Sequence, residues 1–154
     1  MKVFSLLIFV FFLSGCSTTD YFKYQSSTAV INNLEITEIK NLKKRKHKIK
    51  VSFDYEISKF NDVDGLYHCS VQFIVNNDVT MTSHRGSKNP CEINSESGSI
   101  SINWPTPIDK SLNTPEEILS TINYPLEFFV AIHQDTGKET NRIIGQSAPQ
   151  KSKI

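Results

Sequence analysis

Apolar and polar residues alternate one by one over several stretches of this chain. The longest stretch covers residues 48–57, where Ile49, Val51, Phe53, Tyr55 and Ile57 alternate with polar residues without a break. A period of two is typical of a β-strand with one face buried and one in water. Similar patterns predict seven strands, which we label A to G: 31–39, 49–57, 67–75, 79–84, 99–104, 126–132 and 140–146.

One helical signal lies between strands E and F. In Thr114-Pro115-Glu116-Glu117, a capping threonine precedes a proline at the first helical position and a glutamate at the third. A short apolar face follows, and Pro125 ends the segment. The pattern predicts a helix of two to three turns.

These elements predict an all-β fold, an immunoglobulin-like antiparallel β-sandwich of about seven strands with one short helix. The resemblance to immunoglobulin-like domains is architectural only, because Trp104 follows both Cys69 and Cys91 instead of lying between them. A small antiparallel β-barrel is the alternative. Alternating strand directions would place Cys69 and Cys91 at the same end of the sandwich.

The N-terminal residues follow another pattern. Lys2 precedes an apolar run, residues 3–13, that is interrupted only by Ser5. This run is too short to span a bilayer, which needs about 20 residues. It ends in Leu13-Ser14-Gly15-Cys16, which resembles the lipobox of bacterial lipoprotein precursors.

The resemblance implies an anchor and a location. Residues 1–15 would be a signal peptide, and Cys16 would carry a diacylglycerol after cleavage. Ser17, where an aspartate would retain an enterobacterial lipoprotein in the inner membrane, implies the periplasmic face of the outer membrane of a Gram-negative bacterium. An ordinary secretory leader is the alternative. We expect a flexible lipidated tether at 16–29, the sandwich at 30–147 and a tail at 148–154.

Lipidation of Cys16 leaves two cysteines. An even pair in an oxidising compartment predicts a disulfide between Cys69 and Cys91. Neither cysteine has the spacing of a metal ligand.

The charge of the mature chain is balanced, with 16 basic and 16 acidic residues once Lys2 is removed. Such a balance argues against a nucleic-acid partner. The only concentrated charge is Lys43-Lys44-Arg45-Lys46. We expect either a solvated turn, a contact for an acidic partner such as an envelope protein or phosphate-bearing polymer, or internal neutralisation by Asp109, Glu116 and Glu117.

No catalytic or metal-binding pattern appears in the sequence. His47, His68, His84 and His133 lack metal-ligand spacing, and we expect His68 and His133 on solvated strand faces. The sequence therefore predicts no enzyme, no metal and no cofactor. Two functions remain: a non-catalytic binding or accessory structural module of the envelope, and an inhibitor or immunity lipoprotein that blocks a toxin or hydrolase.

Overall fold

The computed structural model describes residues 24–75, 78–82, 91–137 and 140–153. The predicted signal peptide, the predicted lipobox at 13–16 and most of the predicted tether lie outside the described residues, as does His84. The described strands are β1 (Thr28–Asn41), β2 (Lys46–Ser58), β3 (Tyr67–Val75), β4 (Asp78–Thr82), β5 (Glu92–Ile93), β6 (Ser97–Pro105), β7 (Glu127–Gly137), β8 (Thr140–Gln146) and β9 (Gln150–Lys151).

These strands form two antiparallel sheets. One has the order β1-β2-β6, and the other has the order β4-β3-β7-β8, with β5 added at the edge of β3 and β9 at the edge of β7. The predicted all-β sandwich is confirmed, and each of strands A to G is present. The two-residue strands β5 and β9 were not predicted, because two residues carry no readable period.

The strand order is that of an immunoglobulin-like sandwich in which the fourth strand belongs to the other sheet. In constant-type immunoglobulin domains the fourth strand pairs with the first sheet. Here β4 pairs with β3 instead, so the first sheet has three strands. As a result β6 lies at an edge of its sheet.

The core lies between the sheets, where the alternation predicted it. All five apolar residues of the 49–57 stretch are buried against residues of β3, β6 and β7, which are Tyr67, Cys69, Val71, Phe73, Trp104, Phe128, Val130 and Ile132. Full burial of such a side chain stabilises the fold by about 1.5–3 kcal/mol. Phe129, on the other face of β7, is buried as well. This strand is therefore buried on both faces.

The disulfide Cys69–Cys91 is present, with its two Cα atoms 5.2 Å apart. The Cys69 amide also donates to the Cys91 carbonyl at 2.9 Å. These bonds hold β5 and its preceding residue against β3. Both cysteines lie at the end of the sandwich where β1 begins, since Ser27 contacts Tyr67 there.

The connection between β6 and β7 is less helical than predicted. It contains a 3₁₀ turn, Lys110–Leu112, and a single α-helical turn, α1 (Glu116–Leu119). Thr114 does not cap α1; its buried hydroxyl donates to the Pro107 carbonyl at 2.7 Å. The capping prediction is wrong because this tertiary contact takes the hydroxyl group.

The packed region extends beyond residues 30–147 at both ends. Buried Ser27 donates its amide to Gln134 Oε1 at 3.0 Å. Buried Ser152 accepts the Leu126 amide on its hydroxyl oxygen at 2.8 Å, just after β9. Within the described part of the chain, no helix is long and apolar enough to cross a membrane.

Candidate functional site

We call the basic residues Lys43, Lys44, Arg45 and Lys46 the turn cations. The first three lie in the connection between β1 and β2, and Lys46 begins β2. Leu42–Lys44 form a 3₁₀ turn, and the Asn41 side chain accepts the Lys44 amide at 3.3 Å. Arg45 closes the turn in the left-handed conformation, with φ at 47°. Such a backbone is unfavourable for a residue other than glycine and persists only where the surroundings fix it.

The surroundings of this turn are the first residues after β6. The Lys110 amide donates to the Arg45 carbonyl at 2.9 Å, and the Thr106 amide donates to the His47 carbonyl at 3.0 Å. The His47 amide donates to Asp109 Oδ2, also at 2.9 Å. The backbone of the turn is therefore bonded to a second segment of the chain, which the sequence did not identify.

The buried side chain of His47 adds to this attachment. Its Nδ1 lies 2.9 Å from Thr106 Oγ1, whose hydroxyl donates to the His47 carbonyl at 3.1 Å. Thr106 Oγ1 must then accept from His47, which assigns a proton to Nδ1. The other ring nitrogen lies 3.4 Å from Glu38 Oε2. Sequence alone gave His47 no role, and here it connects β1, β2 and the 106–110 segment.

Asp109 does not neutralise the turn cations. Burial alone would raise the pKa of its carboxyl group, but hydrogen bonds from Ser111 and His47 and the charge of Lys48 hold that pKa below its ordinary value. In the described part of the chain, an ion pair within 4.0 Å joins Lys151 to Glu127, and no ion pair involves the turn cations. The expected internal neutralisation by Asp109, Glu116 and Glu117 is thus not found.

A groove runs beside the turn cations. It has a volume of about 290 Å³ and is lined by residues that we call the turn groove: Leu42, Arg45, Ile108, Glu116, Leu119 and Tyr124. Leu42 and Tyr124 are 52% and 51% exposed, and the nearby Ile118 is 41% exposed. Partial burial raises the pKa of the Tyr124 hydroxyl, although the charge of Arg45 opposes this.

The turn groove combines features of a binding surface. Exposed apolar side chains that lie together mark a contact for another molecule more often than scattered ones do. The unpaired lysines around them can attract an acidic partner over a distance. The sequence identified the cations but not the apolar residues, because Leu42 and Tyr124 lie about 80 residues apart and meet only through the fold.

A second polar cluster lies on the outer face of the larger sheet. Gln72 Nε2 donates to Ser70 Oγ at 2.7 Å, Ser70 Oγ lies 2.6 Å from His133 Nε2, and His133 Nδ1 lies 3.0 Å from Asn141 Oδ1. His68 stacks on His133 with ring centroids 4.8 Å apart. His133 is only 4% exposed, so the expectation of a solvated histidine is wrong.

The connectivity of this cluster is that of a serine–histidine–amide triad. Its exposure does not suit such chemistry, since Ser70 is 1% exposed and its oxygen already contacts both Gln72 and His133. Burial lowers the pKa of His133, against the effect of Asn141, so the ring stays neutral. The cluster therefore acts as a hydrogen-bonded tie between β3, β7 and β8.

Two further findings bear on the function. Among the described residues, no group of three His, Cys, Asp or Glu side chains could hold a metal ion. Comparison of the chain with known protein families, with curated proteins and with solved structures finds no match.

Proposed function

We propose that this protein is a lipid-anchored binding module of the bacterial cell envelope. Cys16 carries the anchor, on the periplasmic face of the outer membrane of a Gram-negative bacterium. The domain holds an envelope protein non-catalytically, either directly or as an accessory part of a larger assembly. The observation that carries this proposal is the turn groove with its unpaired lysines.

The fixed backbone of the turn favours the interpretation that it is a binding surface over the interpretation that it is only a solvated connection. A solvated turn needs no attachment, yet the backbone of Arg45 and His47 is bonded to Thr106, Asp109 and Lys110. A surface that is fixed before binding loses less conformational entropy when the partner arrives. The left-handed Arg45 is part of this fixed geometry.

The position of the turn supports the same function. The chain enters the sandwich beside Lys59, near the start of β3, whereas the turn cations lie at the opposite end of β1. A strand of 14 residues extends over roughly 45 Å. A domain anchored through its N-terminus can therefore present the turn groove away from the anchor.

The chemistry of the groove defines the partner. Exposed Leu42 and Tyr124 can contact an apolar side chain of the partner, and the lysines can attract acidic residues of the partner around that side chain. Aromatic and cationic groups that are placed together are typical of interface hot spots. The partner we propose is a protein with an acidic surface and at least one protruding apolar residue.

The proposal is tested by capture from envelope extracts with the mature domain as bait. We expect Lys43→Gln, Lys44→Gln and Lys46→Gln together to weaken capture of the partner, with slower and less salt-dependent association. Tyr124→Ser should shorten the lifetime of the complex, because it removes an apolar contact. Arg45 stays unchanged, since its backbone conformation is unusual.

The matched control replaces Lys50, Lys59 and Lys153 by glutamine, which removes the same charge elsewhere from exposed side chains. This control should capture the partner normally, and both triple variants should melt near the wild-type temperature, because exposed substitutions rarely change stability by more than about 0.5 kcal/mol each. Equal capture by both triple variants would rule out the turn groove as the binding surface.

A further inference from the structure

The free edge of β6 is a second candidate interaction surface. β6 pairs with β2 on one side, and no other strand of the described chain pairs with it. Ser97, Ser99, Ser101 and Asn103 all have exposed side chains. The edge lies outside the turn groove and does not depend on the proposed function.

The register shows which backbone groups of β6 face outward. Just beyond the two ends of β6, the Ile57 amide donates to the Glu96 carbonyl at 2.7 Å and the Thr106 amide donates to the His47 carbonyl at 3.0 Å. Residues of an antiparallel strand alternate between bonding to one neighbour and pointing away from it. The even-numbered residues of β6 therefore bond to β2, and the amides and carbonyls of the four odd-numbered residues, 97 to 103, point outward.

This edge lacks the usual protection against pairing. Natural edge strands carry charged residues, bulges or internal prolines that prevent association. The segment Ser97–Pro105 contains no charged residue, and its register with β2 is continuous. Its one proline, Pro105, stands at the end of the strand, where it stops pairing without preventing it.

We infer that two copies of this chain pair antiparallel through their β6 edges, around a twofold axis at Ile100. In this register Ser97 lies opposite Asn103 of the second copy, and Ser99 lies opposite Ser101 of the second copy. Each of the four outward residues then bonds through both its amide and its carbonyl. Pro105, which has no amide hydrogen, lies just beyond the paired segment.

The side chains on both faces of the strand suit this pairing. Half-buried Ile100 meets Ile100 of the second copy in a closely spaced pair, which covers its remaining apolar surface. Exposed Lys50 is the β2 neighbour of Asn103, and exposed Glu56 is the β2 neighbour of Ser97. The same register therefore aligns Lys50 with Glu56 of the second copy, and these two charges are opposite in sign. Asp54, which accepts a hydrogen bond from Ser99, lies in the row of the uncharged Ser52 of the second copy.

The test uses the full chain in its own membrane. Cells produce two differently tagged copies, one with Ser99→Cys and one with Ser101→Cys, and isolated membranes receive a mild thiol oxidant. Residues opposite each other in a hydrogen-bonded pair have Cα atoms about 5.5 Å apart, which lies within the range of a disulfide. We expect a cross-link that contains both tags. Native Cys69 and Cys91 are buried and already joined, so they do not compete.

Cells with only one of the two variants serve as the control. There the new cysteines lie diagonally across the axis, and we expect at least a tenfold lower yield of cross-linked dimer. A yield as high as with both variants would indicate random collision and would overturn the inference. So would the absence of any cross-link, or a product whose mass shows a different protein on this edge.

Discussion

At the scale of single residues, burial of polar side chains was the least predictable property. Period two correctly placed His133 on the face of β7 that points away from the core. It could not reveal that Ser70, Gln72 and Asn141 meet His133 there, because that requires the register of three strands. His47 was missed for the same reason, since its partners Thr106 and Glu38 come from distant segments.

The burial of His133 predicts a dependence of stability on pH. In the unfolded chain this imidazole takes up a proton below about pH 6.5, whereas in the folded chain its lowered pKa delays protonation. Between these two pKa values the unfolded state binds more protons than the folded state. The contribution of His133 to the free energy of unfolding is therefore complete above about pH 6.5 and decreases as the pH falls below that value. Urea unfolding of the mature domain at pH 7.5, 6.5 and 5.5 measures this decrease.

The variant His133→Gln separates this effect from other titrations. It should be less stable than the wild type at pH 7.5, and it should lose less additional stability on acidification. His68→Gln, which removes the stacked neighbour of His133, should keep most of the pH dependence. If the wild type and His133→Gln lose the same free energy of unfolding on acidification, the pH dependence does not come from His133.

At the scale of elements, the strands were predictable and the connections were not. Strand B was readable because its apolar and polar residues alternate without a break, and the structure buries every apolar position in it. The 106–125 connection has no such period. There the Thr114 hydroxyl does not cap the helix as its local sequence predicts, because it donates to the Pro107 carbonyl instead. No pattern of neighbouring residues can indicate such a hydrogen bond.

The approach of β1 to β8 is another feature that only the structure reveals. At Gly145 an added Cβ would lie 2.9 Å from Ala29 Cβ and still closer to the Ala29 carbonyl. Glycine therefore allows the two sheets to approach each other along this side. We expect Gly145→Ala to lower the free energy of unfolding by about 1–3 kcal/mol, as overpacking does.

Gly98→Ala is a suitable comparison. Its added Cβ would lie 3.1 Å from the Tyr55 hydroxyl oxygen, a contact that a shift of a few tenths of an ångström relieves, whereas at Gly145 the added Cβ meets backbone atoms. Thermal and urea unfolding of both variants should show a smaller loss for Gly98→Ala. If Gly145→Ala is as stable as the wild type, β1 and β8 do not approach as closely as described.

At the scale of the whole molecule, the fold was more predictable from the sequence than the candidate site was. The sandwich followed from strand periodicity, and the pairing of Cys69 with Cys91 followed from the cysteine number and the expected oxidising compartment. The candidate site was only half predictable: the turn cations stand together in the sequence, whereas Leu42, Ile108 and Tyr124 converge through the fold. The proposed location and attachment rest on residues 13–17, which precede the described residues.

The last prediction concerns that attachment. If Cys16 is lipidated, the wild-type chain takes up radiolabelled palmitate in cells, and Cys16→Ser does not.

In an enterobacterial host, Ser17→Asp should keep the label but move the protein from outer-membrane to inner-membrane fractions, because aspartate at this position acts there as a retention signal. Ser17→Ala, the matched control, should keep both the label and the outer-membrane location. An unlabelled wild type would refute the lipobox, whereas a labelled Ser17→Asp that stays in the outer membrane would refute only the sorting rule. Labelling and sorting can therefore fail separately, and neither result changes the turn groove, which lies in the folded domain.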